Sequence, residues 1–294
     1  MKIGFFGDGP WSHKSLEKLL SDKRYSVEFI CVRFNNPDNF LLDKSRELGI
    51  DLLIEKNINE ISFQKKLKKY NCDLFVSMSF DQIFKKETFN IPNKGTINCH
   101  AGKLPLYRGR NILNWALING ESEFGITVHF IDEGIDTGDI IEQETFKITL
   151  KDNYRTLLEK AYINCPKLLI KAIDSIYNGN YIRSSQPLGP EHGIYCCRRI
   201  LGDEVLNWNQ SSLNIFNFIR ALTYPGPAAR TKIEGDEIKI LKSDLINNAP
   251  DYIGIPGTLL LKDKKGFLVK TQDSFIRITE WEGTKKLRVG MRFK

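Results

Sequence analysis

No apolar run in the 294-residue chain approaches the roughly 18 residues that cross a bilayer. The opening stretch, MKIGFFGDGPWSHK, breaks at once into Gly and Pro and is too short in apolar length for a secretion signal. A cytoplasmic protein is expected. Cysteine is sparse, with six residues and no CxxC pair, which argues against a zinc site or a redox motif. Cys31, Cys72, Cys99 and Cys165 are scattered and Cys196–Cys197 adjacent, so reduced, mostly buried thiols are expected. There is no internal repeat and no low-complexity tract. The formal net charge is +7, but the basic residues are spread out, with only short clusters such as KKLKK (65–69). A nucleic acid, a small anionic substrate or a solvated lysine-rich surface all fit that charge.

What is present alternates. Apolar runs read as strands at Lys2–Gly7, Ser26–Phe34, Asp51–Ile54 and Asp73–Met78. Helical stretches at 15–20, 39–48 and 61–69 separate them. That order predicts an α/β, Rossmann-like, mostly parallel sheet with helices on both faces. Thr96–His100, Gly125–Ile131 and Ile140–Ile148 add strands, and Asn111–Asn119 reads as helical. Apolar residues at helical spacing from Leu157 to Ile176 predict a long helix over 153–177. Residues 1–183 form the expected catalytic domain. SSQPLGPEHG opens an aperiodic linker over 184–199, and a small β-rich domain fills 200–294. Its expected helix is Ser212–Leu222, and its strands are 238–241, 258–261, 266–270 and 275–281.

Chemistry concentrates in Thr96–Asp139. Asn98 and His100 flank Cys99, and alternate residues of a strand share a face. A carboxamide and an imidazole thus point together from a strand end, where open α/β sheets bind ligands. The turn IDEGIDTGDI (131–140) supplies Asp132, Asp136 and Asp139 as possible partners of the imidazole. On spacing alone, an acid–base site and a structural histidine beside a solvated turn both remain open.

The stretch GTINCHAGKLPLYRGRN…GITVHFIDEGIDTGDII resembles the signature of the 10-formyltetrahydrofolate-dependent formyltransferases. It carries N-x-H, LP-x-YRG, G-x-T-V-H-F and D-x-G in order. SMSFDQIFKKE (77–87) is similar to the family's pterin-side loop, and RILGDEVLNWNQ…FIRALTYPGPAA (199–229) to its C-terminal half. By position, the resemblance assigns catalysis to Asn98, His100 and Asp136. Asp136 is chosen because it heads D-x-G. Formyl transfer uses such groups. An amide and an imidazole stabilise the oxyanion, the imidazole moves a proton, and the carboxylate orients it. The cosubstrate implied is 10-formyltetrahydrofolate, with no metal. Met78, Phe80, Ile83 and Asp132 are candidates to line its pterin slot, with ordinary core packing open for Phe80 and Ile83.

For the acceptor, the segment 35–49 holds only Lys44 and Arg46 against Asp38, Asp43 and Glu47. Such a segment offers little to a phosphate backbone. RGRNILNW also lacks the proline common in the family's tRNA members. These features favour a dTDP-linked amino-deoxysugar, dTDP-4-amino-4,6-dideoxyglucose above all, for surface polysaccharide synthesis, with no nucleic-acid partner. Methionyl-tRNA and a UDP-4-amino-arabinose are the alternative acceptors. Candidate substrate contacts are Trp11, His13 and Lys14 in the glycine-containing βα loop, Lys103 and Arg108 around YRG, and Tyr224 to stack on the base. A capped helix start with a surface Trp, and core packing for Tyr224, stay open. GDGPWSHK lacks a full GxGxxG, so no dinucleotide site is expected. The sugar-modifying relatives imply a homodimer.

Overall fold

The computed structural model describes residues 1–187, 189 and 191–294. In chain order the elements are β1 (Lys2–Gly7), α1 (Gly9–Ser21), β2 (Ser26–Val32), α2 (Asn39–Leu48), β3 (Asp51–Ile54), α3 (Ile61–Lys69), β4 (Leu74–Met78) and α4 (Lys86–Phe89). Next come β5 (Thr96–His100), β6 (Arg108–Gly109), α5 (Ile112–Ile118), β7 (Glu123–Phe130), β8 (Ile140–Lys147) and α6 (Tyr154–Asn178). The rest are β9 (Tyr195–Cys196), α7 (Ser212–Ala221), β10 (Ala229–Ile233), β11 (Asp236–Asp244), β12 (Leu259–Asp263), β13 (Gly266–Lys270) and β14 (Phe275–Glu282). Among the described residues no helix is long and apolar enough to cross a membrane.

The backbone divides into two compact units. The first comprises 1–109, 124–146 and 159–196; the second comprises 110–123, 147–158 and 197–294. In the first, a seven-stranded sheet runs β3-β2-β1-β4-β5-β7-β8. Its strands β1 to β5 pair in parallel, and β7 joins β5 antiparallel. The expected Rossmann-like architecture is present. Strands β1 and β4 are buried along nearly their whole length, which explains their unbroken apolar sequence. Phe6 is the hub of one face. Its ring meets Phe29 and Phe75 edge-on at 5.4 Å, Phe80 at 5.5 Å and Phe84 at 4.9 Å. Aromatic pairs of this geometry each add about 0.5–1.5 kcal/mol beyond area burial. Here they fasten the 79–85 loop onto the sheet.

The first helix begins earlier than expected. Gly9–Pro10 read as loop, but proline in a first helical turn sacrifices only an amide that has no helical partner. Only Asp8 separates β1 from α1.

The second unit holds the antiparallel sheet β10-β11-β14-β13-β12. Its core centres on Trp208, Phe267 and Phe293, with Trp208 stacked on Phe293 at 5.3 Å. Helix α7 carries Ile215, Phe216 and Ile219 into that core, and Ser211 caps it by accepting from the Asn214 amide. Strand β10 (ARTKI) was not expected, because Arg and Lys interrupt its apolar positions.

Candidate functional site

The alternation of TINCH sets the site. Asn98 and His100 share one face of β5, while Cys99 takes the other, its thiol donating to the Cys165 carbonyl on α6 at 3.7 Å. Antiparallel β7 places His129 opposite Asn98 and Thr127 opposite His100. Thr127 then clamps the returning loop, its hydroxyl donating to the Gly102 carbonyl at 2.7 Å. Gln143 adds donations to the Leu104 carbonyl at 2.8 Å and to Thr127 Oγ1 at 2.9 Å. The clamped loop presents the Tyr107 carbonyl 2.8 Å from His100 Nε2. A carbonyl only accepts, so Nε2 carries a proton and Nδ1 of the neutral ring is a lone pair. Gly102 has no room for a side chain, since a Cβ there would lie 2.4 Å from His100 Nε2.

Asp136 sits in the 131–139 loop between β7 and β8 in the left-handed region, at φ 54°. Its Oδ2 is 3.6 Å from His100 Nδ1, and its Oδ1 is 3.5 Å from His129 Nε2. The Gly109 amide donates to Oδ2 at 2.9 Å. Gln186 pins the loop by donating to the Asp136 carbonyl at 3.0 Å and to the Gly138 carbonyl at 2.7 Å. Burial alone would raise the Asp136 pKa, but His100, His129 and the Gly109 amide outweigh it and hold the carboxyl well below the ordinary range. The carboxylate is therefore anionic, shared between two imidazoles. The structure thus brings Asn98, His100 and Asp136 together, and adds His129, which the sequence reading missed. His129 is buried and donates from Nδ1 to the Phe130 carbonyl at 2.7 Å. Its only local signal was a polar residue inside the apolar strand GITVHF.

The remaining candidates are dispersed. Met78 is buried at the end of β4 and Phe80 packs on Phe6, whereas Ile83 is 63% exposed. Asp132 accepts from the Gly134 amide and from the Thr137 hydroxyl. Trp11 lies edge-on to Tyr162, and Lys14 is exposed on α1. His13 is engaged by Asp38, with Nε2 2.8 Å from both carboxylate oxygens, and stacks on Phe40. The expected phosphate loop is thus the first turn of α1, flanked by Asp8 and Asp38, and its histidine already contacts Asp38. Lys103 backs onto Gly125. Arg108 is buried, donating to Gln186 Oε1 and to the Pro187 carbonyl, and its cation lies over Tyr195. Tyr224, in the second unit, is 76% exposed rather than packed in a core.

Comparison with known proteins places these features in a family. Residues 1–173 match the model "Formyl transferase", and residues 202–292 match "Formyl transferase, C-terminal domain". A methionyl-tRNA formyltransferase of Thermodesulfovibrio yellowstonii is 36% identical, covering 94% of this chain and 89% of the relative. Another, from Azobacteroides pseudotrichonymphae, is 36% identical over 98% of this chain and 94% of the relative. Among solved structures, an N-formyltransferase from Helicobacter canadensis in complex with folinic acid and dTDP-3-aminofucose is 26% identical, with a TM-score of 0.73 over 96% of this chain and 100% of that one.

These relatives overturn the expected dTDP-amino-sugar acceptor. That expectation weighed one segment, 35–49, and one missing proline. Proteins similar at higher identity over nearly the whole length carry the methionyl-tRNA name instead. The 35–49 segment does remain poor in available basic charge, since Lys44 pairs with Glu47 and Arg46 with Asp43 on α2 itself. It does not discriminate between acceptors. With both domain models matched in order along one chain, the chain belongs to the formyl transferase family and is an N-formyltransferase.

Proposed function

We propose that the chain formylates the amino group of methionyl-tRNA, with 10-formyltetrahydrofolate as donor. The observation that carries the acceptor is the near full-length similarity to methionyl-tRNA formyltransferases. A cytoplasmic location goes with that substrate.

The residues present fit the donor. A flat pterin needs an apolar slot with polar backbone at its edge. The 79–85 loop is fastened through Phe80 and Phe84, and Ile131 of the 131–139 loop packs on the same cluster; Lys86, at the start of α4 just after the first loop, pairs with Glu133 of the second at 2.9 Å. Ile83 and Ile135 remain 63% and 49% exposed on these two loops and present apolar surface there.

Three groups act at the formyl carbon. The amine attacks it, a C–N bond forms, and negative charge develops on the formyl oxygen. Asn98 donates an N–H to that oxyanion, which such donors stabilise by about 3–4 kcal/mol. His100 Nδ1 takes the proton that the attacking amine sheds, because its Nε2 is already committed to the Tyr107 carbonyl. Asp136 stabilises the resulting imidazolium at Nδ1. The same proton then passes to N10 of the donor as the old C–N bond breaks, releasing tetrahydrofolate.

The test is incubation of the purified protein with 10-formyltetrahydrofolate and methionyl-tRNA, reading formylmethionine by mass. Binding should also weaken steeply with salt, since tRNA contacts release counterions. Formylation of some other amine, with methionyl-tRNA untouched, would overturn the acceptor.

A further inference from the structure

His129 lies directly across the β5–β7 ladder from Asn98 and is nearly fully buried. Its Nδ1 donates to the Phe130 carbonyl, so the neutral ring presents a bare lone pair at Nε2. Two groups face that lone pair, Asn98 Nδ2 at 3.3 Å and Asp136 Oδ1 at 3.5 Å. They call for opposite states of the ring. The amide N–H needs an acceptor at Nε2, whereas the carboxylate needs a donor. The distance to the carboxylate is long for a charge-assisted bond, which closes to about 2.7–2.9 Å. The Gly109 amide serves the other oxygen of Asp136, Oδ2, at 2.9 Å, so the carboxylate is held in place without a bond from His129.

The orientation of Asn98 matters to the reaction. A carboxamide is nearly symmetric in shape, so packing cannot decide whether nitrogen or oxygen faces the centre of the site. Oxygen there would repel an oxyanion; nitrogen would stabilise it. The selection must come from a hydrogen-bonding neighbour with a fixed polarity.

We propose that His129 is that neighbour, a positioning residue. As the neutral Nδ1–H tautomer it locks Asn98 with Nδ2 toward Asp136 and the two imidazoles. One N–H of Asn98 goes to His129, and the second remains for the formyl oxygen. A cationic His129 would instead recruit Oδ1 of Asn98 and turn the donor away. The Phe130 carbonyl is thus the remote anchor of the whole arrangement, since it dictates which nitrogen of His129 holds the proton. This inference rests on the reading of the site as a formyl-transfer site, and not on which amine accepts the group.

The direct test is long-range proton–nitrogen NMR of the histidine rings in the wild-type protein at neutral pH. His129 should show the Nδ1–H tautomer; an Nε2–H tautomer or a cation would overturn the proposal. Kinetics supply the second arm, with any amine that the wild type formylates. His129→Leu should lower kcat about ten- to a hundredfold and leave the KM for the donor within about twofold, because the lost interaction acts in the transition state. His129→Gln, whose Oε1 stands in for Nε2 as an acceptor, should recover most of that loss. In an Asn98→Ala background, His129→Leu should cost less than about twofold, because the two act through one interaction. Unchanged kcat in His129→Leu, no recovery in His129→Gln, or an undiminished loss in the Asn98→Ala background would each refute the role. Wild-type transfer to an amine other than methionyl-tRNA would remove the acceptor proposal and leave these comparisons intact.

Discussion

His13 meets Asp38 with Nε2 at 2.8 Å from both carboxylate oxygens, whereas His100 Nδ1 stands 3.6 Å from Asp136 Oδ2. Both pairs lie in the first compact unit, and both join a histidine to an aspartate on a loop after a strand. Asp38 is saturated. It also accepts from the Gly9 amide at 2.9 Å and from the Leu41 amide at 3.0 Å, capping α2. Those bonds hold its carboxyl below the ordinary range despite its burial. Asp136 is instead divided between two imidazoles, each of which gives its other nitrogen to a backbone carbonyl. A saturated pair fastens an element. A divided one holds neither ring tightly, and each ring keeps a nitrogen directed into the site.

The contrast is sharpest under substitution. Asp136→Asn keeps the left-handed backbone and removes the charge, so kcat should fall about a thousandfold or more while the fold survives. His100→Ala should be equally inactive. Near-normal turnover in either purified variant would erase the distinction. Gly102→Ala alters none of the proposed catalytic side chains but pushes into His100 Nε2 and the Tyr107 carbonyl, 2.4 and 2.6 Å from the new Cβ. A misplacement of that order should cost about a hundredfold in kcat.

The other pair should respond in the opposite currency. Asp38→Ala should lower stability by about 1–2 kcal/mol through the lost cap and ion pair, with turnover within about threefold of wild type. Urea melts and formyl-transfer rates on the same preparation separate the two effects. The smallest effect is a titration. The folded-state pKa of Asp136 is lowered, so its ionisation contributes stability above the ordinary value of 3.8 and loses it as pH falls further. The stability gap between wild type and Asp136→Asn should therefore persist from pH 7 to about 4 and close below that. A gap independent of pH would mean that the charge contributes nothing to folding.

Local pattern carried much of this into the sequence. Buried parallel strands show as apolar runs, and the period of two put Asn98 and His100 on one face. Asp136 could not be separated from Asp132 and Asp139 by spacing; only the D-x-G resemblance singled it out. His129 escaped because its significance lies in register. Nothing near Val128 and Phe130 tells that β7 will run antiparallel to β5 with His129 opposite Asn98. The Tyr107 carbonyl and the Gly109 amide escaped for another reason: backbone groups have no residue type. The engagement of His13 was hidden for the same reason as that of His129, since its partner Asp38 lies 25 residues away and meets it only in the fold. The acceptor misled most, because one short segment without net positive charge was taken to represent a whole surface.

The left-handed backbone at Asp136 bears on how this lineage can change. Asn and Gly adopt φ near 54° at little cost, so either can replace Asp136 without disturbing the loop that carries it. With the role proposed for Asp136, one substitution would then yield a folded descendant that keeps its binding surfaces and has lost turnover. The geometry that holds the carboxylate in place thereby leaves open a short evolutionary path from enzyme to receptor.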